Sequence, residues 1–423
     1  MKDRLSRFRF IIFALIVFLI GYYVGVSKIA LDWNNYKPTL SVVSKEPPPG
    51  LVNVDFSPFW IVWQRLQNDY YDKSKLDQHK MLDGAIEGLV QSVGDPFTLY
   101  LPPTQNTNFK QNLQGQFSGI GAELGLKDKQ IIVIAPLDGS PAQKAGIKAG
   151  DQLFAVDGKS VGSWSLSQAV DKIRGPRGTS VTLTVLHKDS QSPQDIKIVR
   201  DTITVKSVDG WVKSVKDIEG IKLDGVLNDN KDKGIAYIRL SQFGDNTNND
   251  WIALINKLNL QIQQNKNVKG IILDLRNNPG GYLTDAVFVA GEFLPEGAPV
   301  VGEDNGLDKK TLYVSRRGLF MDIPLVVLIN RGSASASEIV SGALRDNKRA
   351  ILIGEKSFGK GTIQQAEDLG DGAGLHVTIA KWLTPNGTWV NEKGLDPDVS
   401  VGLDSNDPSH DSQLEKAIGE LVK

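Results

Sequence analysis

Two short segments of the 423-residue chain contain residue types that could form a hydrolytic site. The first, GSASASEI at positions 332–339, places Ser335 directly before an apolar run with helical spacing. The second, SFGKGTI at positions 357–363, places Lys360 between two glycines. A serine acts as a nucleophile only when a base takes its proton, and no histidine lies near either segment in the sequence. The residues therefore predict a serine nucleophile whose general base is a lysine.

A lysine can act as a base only when it is neutral, which restricts its surroundings. Burial away from carboxylates can lower its pKa from about 10.4 to roughly 7 to 8, at a cost of about 4 kcal/mol. Phe358 and Ile363 supply apolar neighbours. At strand spacing Lys360, Thr362 and Gln364 point to one face. Gln364 could therefore hold the lysine amine by a hydrogen bond without adding charge.

The same residues also fit an ordinary structural interpretation. Ser335 and Glu338 match an S-x-x-E capping box, and a lysine between glycines can be a solvated charge on a turn. The catalytic interpretation uses the same helix start, where backbone N–H groups stabilise a developing oxyanion. The N–H of Ala336 is the natural donor there. A second donor can come from the glycine turn LRNNPGG at positions 275–281.

The elements that must position these residues follow two patterns. From about residue 207 to residue 401, strands and helices alternate, which is typical of an α/β architecture. Residues 114–204 instead contain short strands with one or two short helices, and SPAQKAGIKAGDQLFAVDGKSV with the preceding GIGAEL resembles a PDZ domain. At the start of GIGAEL, the N–H groups of Gly119, Ile120 and Gly121 form a loop that can bind a terminal carboxylate. The strand from Ala122 to Leu126 can then pair with the peptide behind it.

Five motifs in this order resemble the C-terminal processing peptidases, the tail-specific serine proteases: GDPFTLYL, LRNNPGG, GSASASEI, FGKGTIQ and LTPNGTWVNEKGLDPDV. The resemblance runs from about residue 57 to the end of the chain and includes the PDZ-like segment. It implies an α/β protease core of the crotonase/ClpP-like type. It also implies that Ser335 is the nucleophile, Lys360 is the general base and Gln364 supports the lysine.

The resemblance further implies an oxyanion hole built from Ala336 and either Gly280 or Gly281. It implies no cofactor or metal. The PDZ domain would bind free C-termini with apolar end residues through Gly119, Ile120, Gly121 and Ala122. The predicted partners are therefore proteins with accessible apolar C-termini. A homodimer or an adaptor protein is a further expectation from the resemblance.

The N-terminus carries a membrane signal. Four basic residues, the last of them Arg9, precede the unbroken apolar run FIIFALIVFLIGYYVGV at positions 10–26. This length and the preceding positive charge predict a single transmembrane helix over residues 10–28, with residues 1–9 in the cytoplasm and the catalytic part outside, in the periplasm or at the cell surface. The alternative is a cleaved signal peptide, but the following segment lacks a small-x-small cleavage site.

The predicted organisation continues with a proline-rich, partly extended linker over residues 29–52 and a helical N-terminal subdomain over 53–113. A PDZ domain follows over 114–205, and a protease core with a closing helix covers 206–423. The chain has no cysteine, four scattered histidines and a formal net charge of −1. These values exclude thiol chemistry and disfavour a metal centre, nucleic acid as a partner and a histidine-based PDZ protease. The alternative function is a noncatalytic PDZ adaptor on a protease-like scaffold.

Overall fold

The computed structural model describes residues 13–18, 29–34, 37–42, 54–127, 130–137, 139–148, 150–164, 166–187, 190–204, 206–402, 407 and 409–423. It divides into two compact units, residues 1–82 and 83–423. In the first unit, residues 13–18 are helical and β1 (Ile29–Asn34) pairs antiparallel with β2 (Lys37–Val42). The predicted linker therefore contains a hairpin.

Most of the predicted membrane span, residues 10–28, lies outside the described residues. Within the described ranges, no helix has the length and apolar character needed to cross a bilayer.

The segment predicted as a helical subdomain contains three helices and one strand: α1 (Ser57–Asp69), α2 (Gln78–Gln91), β3 (Leu99–Leu101) and α3 (Pro103–Leu113). A 3₁₀ turn, Lys73–Lys75, separates α1 from α2. Pro58 lies in the first turn of α1 and Pro103 opens α3, where a missing N–H costs no helical hydrogen bond.

The PDZ-like segment contains β4 (Gln116–Gly119), β5 (Ala122–Lys127), β6 (Gln130–Pro136), α4 (Pro141–Lys144), β7 (Gln152–Val156), β8 (Lys159–Ser160), α5 (Leu166–Ile173), β9 (Ser180–Leu186), β10 (Gln194–Val199) and β11 (Asp201–Thr204). The main sheet has the order β10-β9-β7-β6-β5, so β5 lies at its edge. Strand β9 alternates as its sequence predicts, with Val181, Leu183 and Val185 fully buried. Strand β4 pairs with β11.

Residues 206–423 contain β12 (Val208–Ser214), α6 (Gly225–Asp229), β13 (Gly234–Leu240), α7 (Thr247–Gln264), β14 (Val268–Asp274), α8 (Leu283–Ala290), β15 (Pro299–Asp304), β16 (Lys309–Tyr313), β17 (Leu325–Ile329), α9 (Ala336–Asp346), β18 (Ile351–Gly354), β19 (Thr362–Gly370), β20 (Ala373–Leu383), β21 (Val399–Ser400) and α10 (Ser412–Val422). The first of two sheets has the order β12-β13-β14-β17-β18-β21. Its strands from β13 to β21 run parallel, and β12 is antiparallel to β13.

Both faces of this sheet are covered, which explains its nearly continuous apolar strands. Side chains alternate between two buried clusters. Ile271 and Leu273 pack with residues of α7, α8 and α9 on one face. Ile272 packs on the other face with residues of the closing helix α10, such as Leu414 and Ile418. The predicted α/β alternation is therefore present in the core.

The second sheet has the order β16-β15-β20-β19, and the short strand β3 pairs antiparallel with β20. The register joins Leu101 to Gly374 and Leu99 to His376. Part of the segment predicted as a separate helical subdomain is thus a strand of the protease core. This pairing brings the loop before β3, which contains the GDPFT motif, to the same region as β19 and β20.

Candidate active site

Three neighbouring parallel strands end at one edge of the core sheet, the place where open α/β sheets bind ligands. Strand β13 leads into residues 241–246, β14 leads into the turn 275–281, and β17 leads into residues 330–335. Ser335 immediately precedes the first residue of α9. The turn and Ser335 lie close together because their parent strands are adjacent in the sheet.

Ser335 has a strained backbone and an unused hydroxyl. Its φ of 52° and ψ of −115° are uncommon for a residue other than glycine. Its side chain faces the backbone of Glu338 in the reciprocal arrangement of a capping box, but Oγ makes no cap hydrogen bond. The N–H of Ser335 instead donates to Oε2 of Glu338 at 2.8 Å. The predicted capping box is therefore present, with its glutamate half as the hydrogen bond and its serine half without one.

The neighbouring serines fix this segment onto the glycine turn. The Ser333 hydroxyl donates to the carbonyl of Leu275 at 2.8 Å, and the Ser337 hydroxyl donates to the carbonyl of Asn278 at 2.8 Å. Both serines are buried. Among the described contacts, the Ser335 side chain makes no hydrogen bond of this kind to the turn.

The two predicted sources of oxyanion donors meet beside Ser335. Gly280 has a φ of 98°, and a Cβ built on it would lie 2.8 Å from the Ser335 Cβ and 3.0 Å from the Ala336 nitrogen. The Gly280 N–H already donates to Asn278 Oδ1 at 2.9 Å. Within the described residues, the N–H groups of Gly281 and Ala336 have no hydrogen-bond acceptor. The geometry therefore separates the two glycines, which sequence reasoning left as alternatives.

Lys360 lies in a partly buried setting. Its Nζ is 5.1 Å from the centre of the Phe97 ring and forms no ion pair with a described carboxylate. Burial lowers the pKa of Lys360 below its ordinary value, while the negative charges of Asp95 and Glu338 oppose that change. Its carbonyl accepts a hydrogen bond from Trp382 Nε1 at 2.8 Å. A lysine in this setting holds its positive charge less readily than a surface lysine.

Gln364 lines the same region but does not contact the lysine amine. Its Nε2 donates to Thr362 Oγ1 at 2.8 Å and to Thr378 Oγ1 at 3.1 Å. No hydrogen bond joins Gln364 to Lys360 among the described contacts. A register shift between Ile363 and Gln364 interrupts simple alternation along β19, although Lys360, Thr362 and Gln364 still face one cavity.

That cavity has a volume of about 420 Å³ and contains most of the residues predicted for the site. Ser335, Lys360, Gln364, Gly280 and Gly281 all line it. The rest of the wall is largely apolar, and it includes Phe97, Leu99, Phe109, Leu113, Ile339, Ile363, Ala366 and Trp382. The arrangement joins a free hydroxyl, a lysine with a lowered pKa and an apolar recess.

Sequence reasoning missed two members of this wall. Phe97 belongs to the GDPFT motif, which reads as a turn unless the pairing of β3 with β20 is known. His376 lies on β20, and its ring packs edge-on against Phe109 with centroids 4.4 Å apart. Burial and the nearby charge of Lys360 lower the pKa of His376. A histidine is therefore present in the cavity, contrary to the expectation drawn from its sequence position.

Metal ligands are not gathered at this site. Across the ranges that the structure describes, no group of three or more His, Asp or Glu side chains is placed to hold a metal ion.

The predicted carboxylate loop of the PDZ-like segment lies at the start of the edge strand β5. Gly119 ends β4, Ile120 is buried in the PDZ core, and Ala122 begins β5. Gly121 has a φ of 72°, and its carbonyl accepts a hydrogen bond from Leu137 N at 2.9 Å. The N–H groups of Ile120 and Gly121 have no acceptor among the described residues.

The chain matches known protein families at both segments. The model of peptidase family S41 matches residues 234–401, and the PDZ domain model matches residues 132–186. The chain is 36% identical over 341 residues to the carboxy-terminal processing protease CtpA of Bacillus subtilis, which covers 81% of this chain and 68% of that protein. It is 33% identical over 385 residues to CtpB of the same organism, covering 90% and 74% respectively.

Solved structures of similar fold are also proteases of this kind. The photosystem II D1 C-terminal processing protease matches with a TM-score of 0.50 and 30% sequence identity, over 81% of this chain and 92% of that one. A putative S41 protease from Bacteroides fragilis has a TM-score of 0.55 at 16% identity, which supports the fold. The chain therefore belongs to peptidase family S41 and is a C-terminal processing serine peptidase with a PDZ domain.

Proposed function

We propose that Ser335 and Lys360 form the catalytic dyad of an endopeptidase that cleaves proteins near their C-termini. The observation that carries this proposal is the shared cavity, in which the side chains of Ser335 and the desolvated Lys360 lie together. Gln364 supports this site through its threonine contacts at the same wall. We therefore assign it a positioning role, in which it orders the strand that follows Lys360.

The reaction begins when Ser335 Oγ attacks the scissile carbonyl carbon and its proton passes to the neutral Nζ of Lys360. The tetrahedral intermediate collapses, the C–N bond breaks, and Lys360 returns the proton to the leaving amine. Water then attacks the acyl-serine ester while Lys360 takes a proton from it. When the ester bond breaks, that proton returns to Ser335 Oγ, which restores both groups.

The oxyanion of both intermediates is held by the N–H groups of Ala336 and Gly281. These donors support the proposal because neither has an acceptor in the described part of the chain, whereas the Gly280 N–H is engaged by Asn278. Donors fixed before the substrate arrives stabilise developing charge without reorganisation. Gly280 contributes by letting the turn approach Ser335 closely.

The PDZ domain binds the C-terminal tail of the substrate. The unused N–H groups of Ile120 and Gly121 suit a terminal carboxylate, and Gly119 and Ala122 join that loop to its two strands. The tail would add to β5, whose outer edge has no partner in the main PDZ sheet. The substrates are proteins with accessible, apolar C-termini.

The protein is anchored by a single N-terminal membrane helix over residues 10–28, with its catalytic part outside the cytoplasm. This part of the proposal rests on the basic residues and the apolar run that follows them. Alkaline extraction of membranes from cells that express the full chain tests it. A full-length, uncleaved protein that stays in the membrane fraction supports the anchor, and release of a shortened form overturns it.

Cleavage assays with the full chain test the dyad. The substrate is an unstructured protein with an apolar C-terminus, assayed with wild type, Ser335→Ala and Lys360→Ala. We expect both variants to lose cleavage by at least 10³-fold while they remain folded. His376→Gln is the matched comparison, because it removes the other nitrogen base of the cavity. We expect His376→Gln to retain most of the cleavage rate. Loss of cleavage in His376→Gln together with its retention in Lys360→Ala would contradict the lysine mechanism.

A further inference from the structure

One buried carboxylate contacts both halves of the proposed dyad. Glu338 lies in the first turn of α9 and is fully buried. Its Oε2 accepts hydrogen bonds from the N–H of Ser335 at 2.8 Å and from the N–H of Lys360 at 2.9 Å. Its Oε1 accepts from the N–H of Gly359 at 2.7 Å and from the Ser357 hydroxyl at 2.6 Å. Four donors from two separate segments therefore meet on one side chain.

Oε2 has particular importance because a single oxygen joins the nucleophile's backbone to the base's backbone. Ser335 needs such a restraint, since its φ and ψ lie outside the regions that non-glycine residues favour. Lys360 precedes β19, so no strand pairing fixes its N–H. The other short link between the two segments is the hydrogen bond from the N–H of Phe358 to the carbonyl of Ser333 at 2.9 Å, which lies two residues from each member of the dyad.

A carboxylate has an electrostatic cost at this position. The negative charge of Glu338 raises the pKa of Lys360 and so opposes the neutral lysine that the reaction needs. Burial raises the pKa of Glu338 itself, while its four hydrogen bonds favour the charged form. A group that served only as a helix cap would not need to lie beside the base. The cost is consistent with a positioning function that a neutral side chain would not perform as well.

We propose that Glu338 is the positioning residue of the dyad, which sets the separation and orientation of Ser335 and Lys360 by binding both of their backbone N–H groups. The inference rests on the proposed function of these two residues. A neutral amide at position 338 offers one oxygen and one NH₂ group. Because the amide oxygen can take only one of the two positions, either the pair from Ser335 and Lys360 or the pair from Gly359 and Ser357 would face an N–H donor, and the four-donor cluster would be disrupted.

The test compares Glu338→Gln with Glu292→Gln in the full chain. Glu292 is a matched control because it is also buried and accepts bonds from Trp251 Nε1 and the N–H of Leu319, yet it does not line the active-site cavity. For Glu338→Gln we expect kcat to fall at least tenfold with KM within threefold. For Glu292→Gln we expect kcat within twofold, even where urea unfolding shows a similar loss of stability.

A second readout separates positioning of the dyad from simple structural support. Two carboxylates raise the pKa of Lys360, Asp95 from the loop before β3 and Glu338 from α9, and the charge of Lys360 in turn lowers the pKa of His376 on β20. Loss of the Glu338 charge removes one influence that raises the pKa of Lys360. The acid limb of the kcat/KM profile should therefore move to lower pH in Glu338→Gln, and it should not move in Glu292→Gln.

Three results would overturn the inference: kcat of Glu338→Gln within twofold of wild type, an acid limb that does not move, or equal loss of kcat in both glutamine variants. If Glu338→Gln does not fold, Ser357→Ala replaces it, because that change deletes one of the four donors and leaves the three backbone donors in place. Ser357→Ala should lower kcat about threefold to tenfold, and an unchanged kcat would refute the positioning role of Glu338. Cleavage by Ser335→Ala or Lys360→Ala would instead refute the proposed dyad, whatever the glutamate variants do.

Discussion

The contact between Gly280 and the nucleophile segment allows a quantitative prediction for Gly280→Ala. An alanine Cβ would lie 2.8 Å from the Ala334 carbonyl oxygen and 2.8 Å from the Ser335 Cβ, whereas ordinary contacts begin at 3.4 Å. The turn or the serine must therefore move by about 0.6 Å. A donor placed 2.7–3.1 Å from an oxyanion would then lie near or beyond the limit of a hydrogen bond. The displaced peptide unit carries the Gly281 N–H.

Loss of one oxyanion donor usually reduces kcat by about 10² to 10³, or about 2.7–4 kcal/mol of transition-state stabilisation. We expect Gly280→Ala to lie in this range, with a smaller effect on KM. Gly280 also has a φ of 98°, so an alanine adds backbone strain of about 1–3 kcal/mol to the folded state. The variant should therefore be less stable as well as slower.

Gly387→Ala is a control that separates the effect of backbone strain at a positive φ from the effect of the close Cβ contact at Gly280. Gly387 has a φ of 80°, but an added Cβ would meet no atom within 4 Å. The assay measures kcat and KM on the unstructured substrate, the rate of labelling of Ser335 by a fluorophosphonate, and urea unfolding. Both variants should lose stability, and only Gly280→Ala should lose kcat and labelling rate. Gly280→Ala with kcat within threefold of wild type would refute the argument that this turn supplies the oxyanion donor.

The remaining predictions concern pH, a buried ion pair and the PDZ loop. In the proposed mechanism only neutral Lys360 acts as the base, and burial lowers its pKa from 10.5, so kcat/KM should rise with pH through that lowered pKa, as stopped assays across pH would show. Arg276→Leu removes from the fully buried Asp274 the nearer of its two arginine partners, at 2.6 Å, and should cost about 3–5 kcal/mol in urea unfolding. Lys216→Ala in an exposed pair should change the free energy of unfolding far less, and equal costs would contradict the burial argument. Gly121→Ala places a Cβ 2.5 Å from that of Ser140, so it should weaken binding of a peptide with a free C-terminus at least tenfold by fluorescence anisotropy.

Local chemistry in the sequence was sufficient to select several residues that line one cavity. Ser335 and Lys360 were recognisable because the residues of a lysine-based mechanism stand in short motifs, and the structure places both in one cavity. The α/β alternation was visible for a similar reason, since parallel strands buried on both faces give apolar runs. The two candidate glycines could not be distinguished, because their difference depends on whether Asn278 takes the N–H of Gly280.

Other features of the site could not be predicted, because they depend on contacts between distant parts of the chain. The pairing of β3 with β20 places Phe97 beside Lys360, and no local pattern encodes the partner of a three-residue strand. Glu338 was recognisable as a capping residue, but its bond to Lys360 requires the tertiary fold. Gln364 illustrates the limit of strand periodicity, because the shift beside Ile363 and the threonines of β19 and β20 determine where its amide points.

The pairing of β3 with β20 also determines when activity can first arise during biosynthesis. Leu99 of β3 pairs with His376 of β20. The ribosome must therefore add roughly 280 residues after β3 before the strand that pairs with it exists. At about 5–20 residues per second, this interval lasts about 15 to 55 s. Ser335 and the glycine turn are made within that interval, before Lys360. A growing chain therefore carries the serine and lysine segments before the wall formed by β3 and β20 is complete.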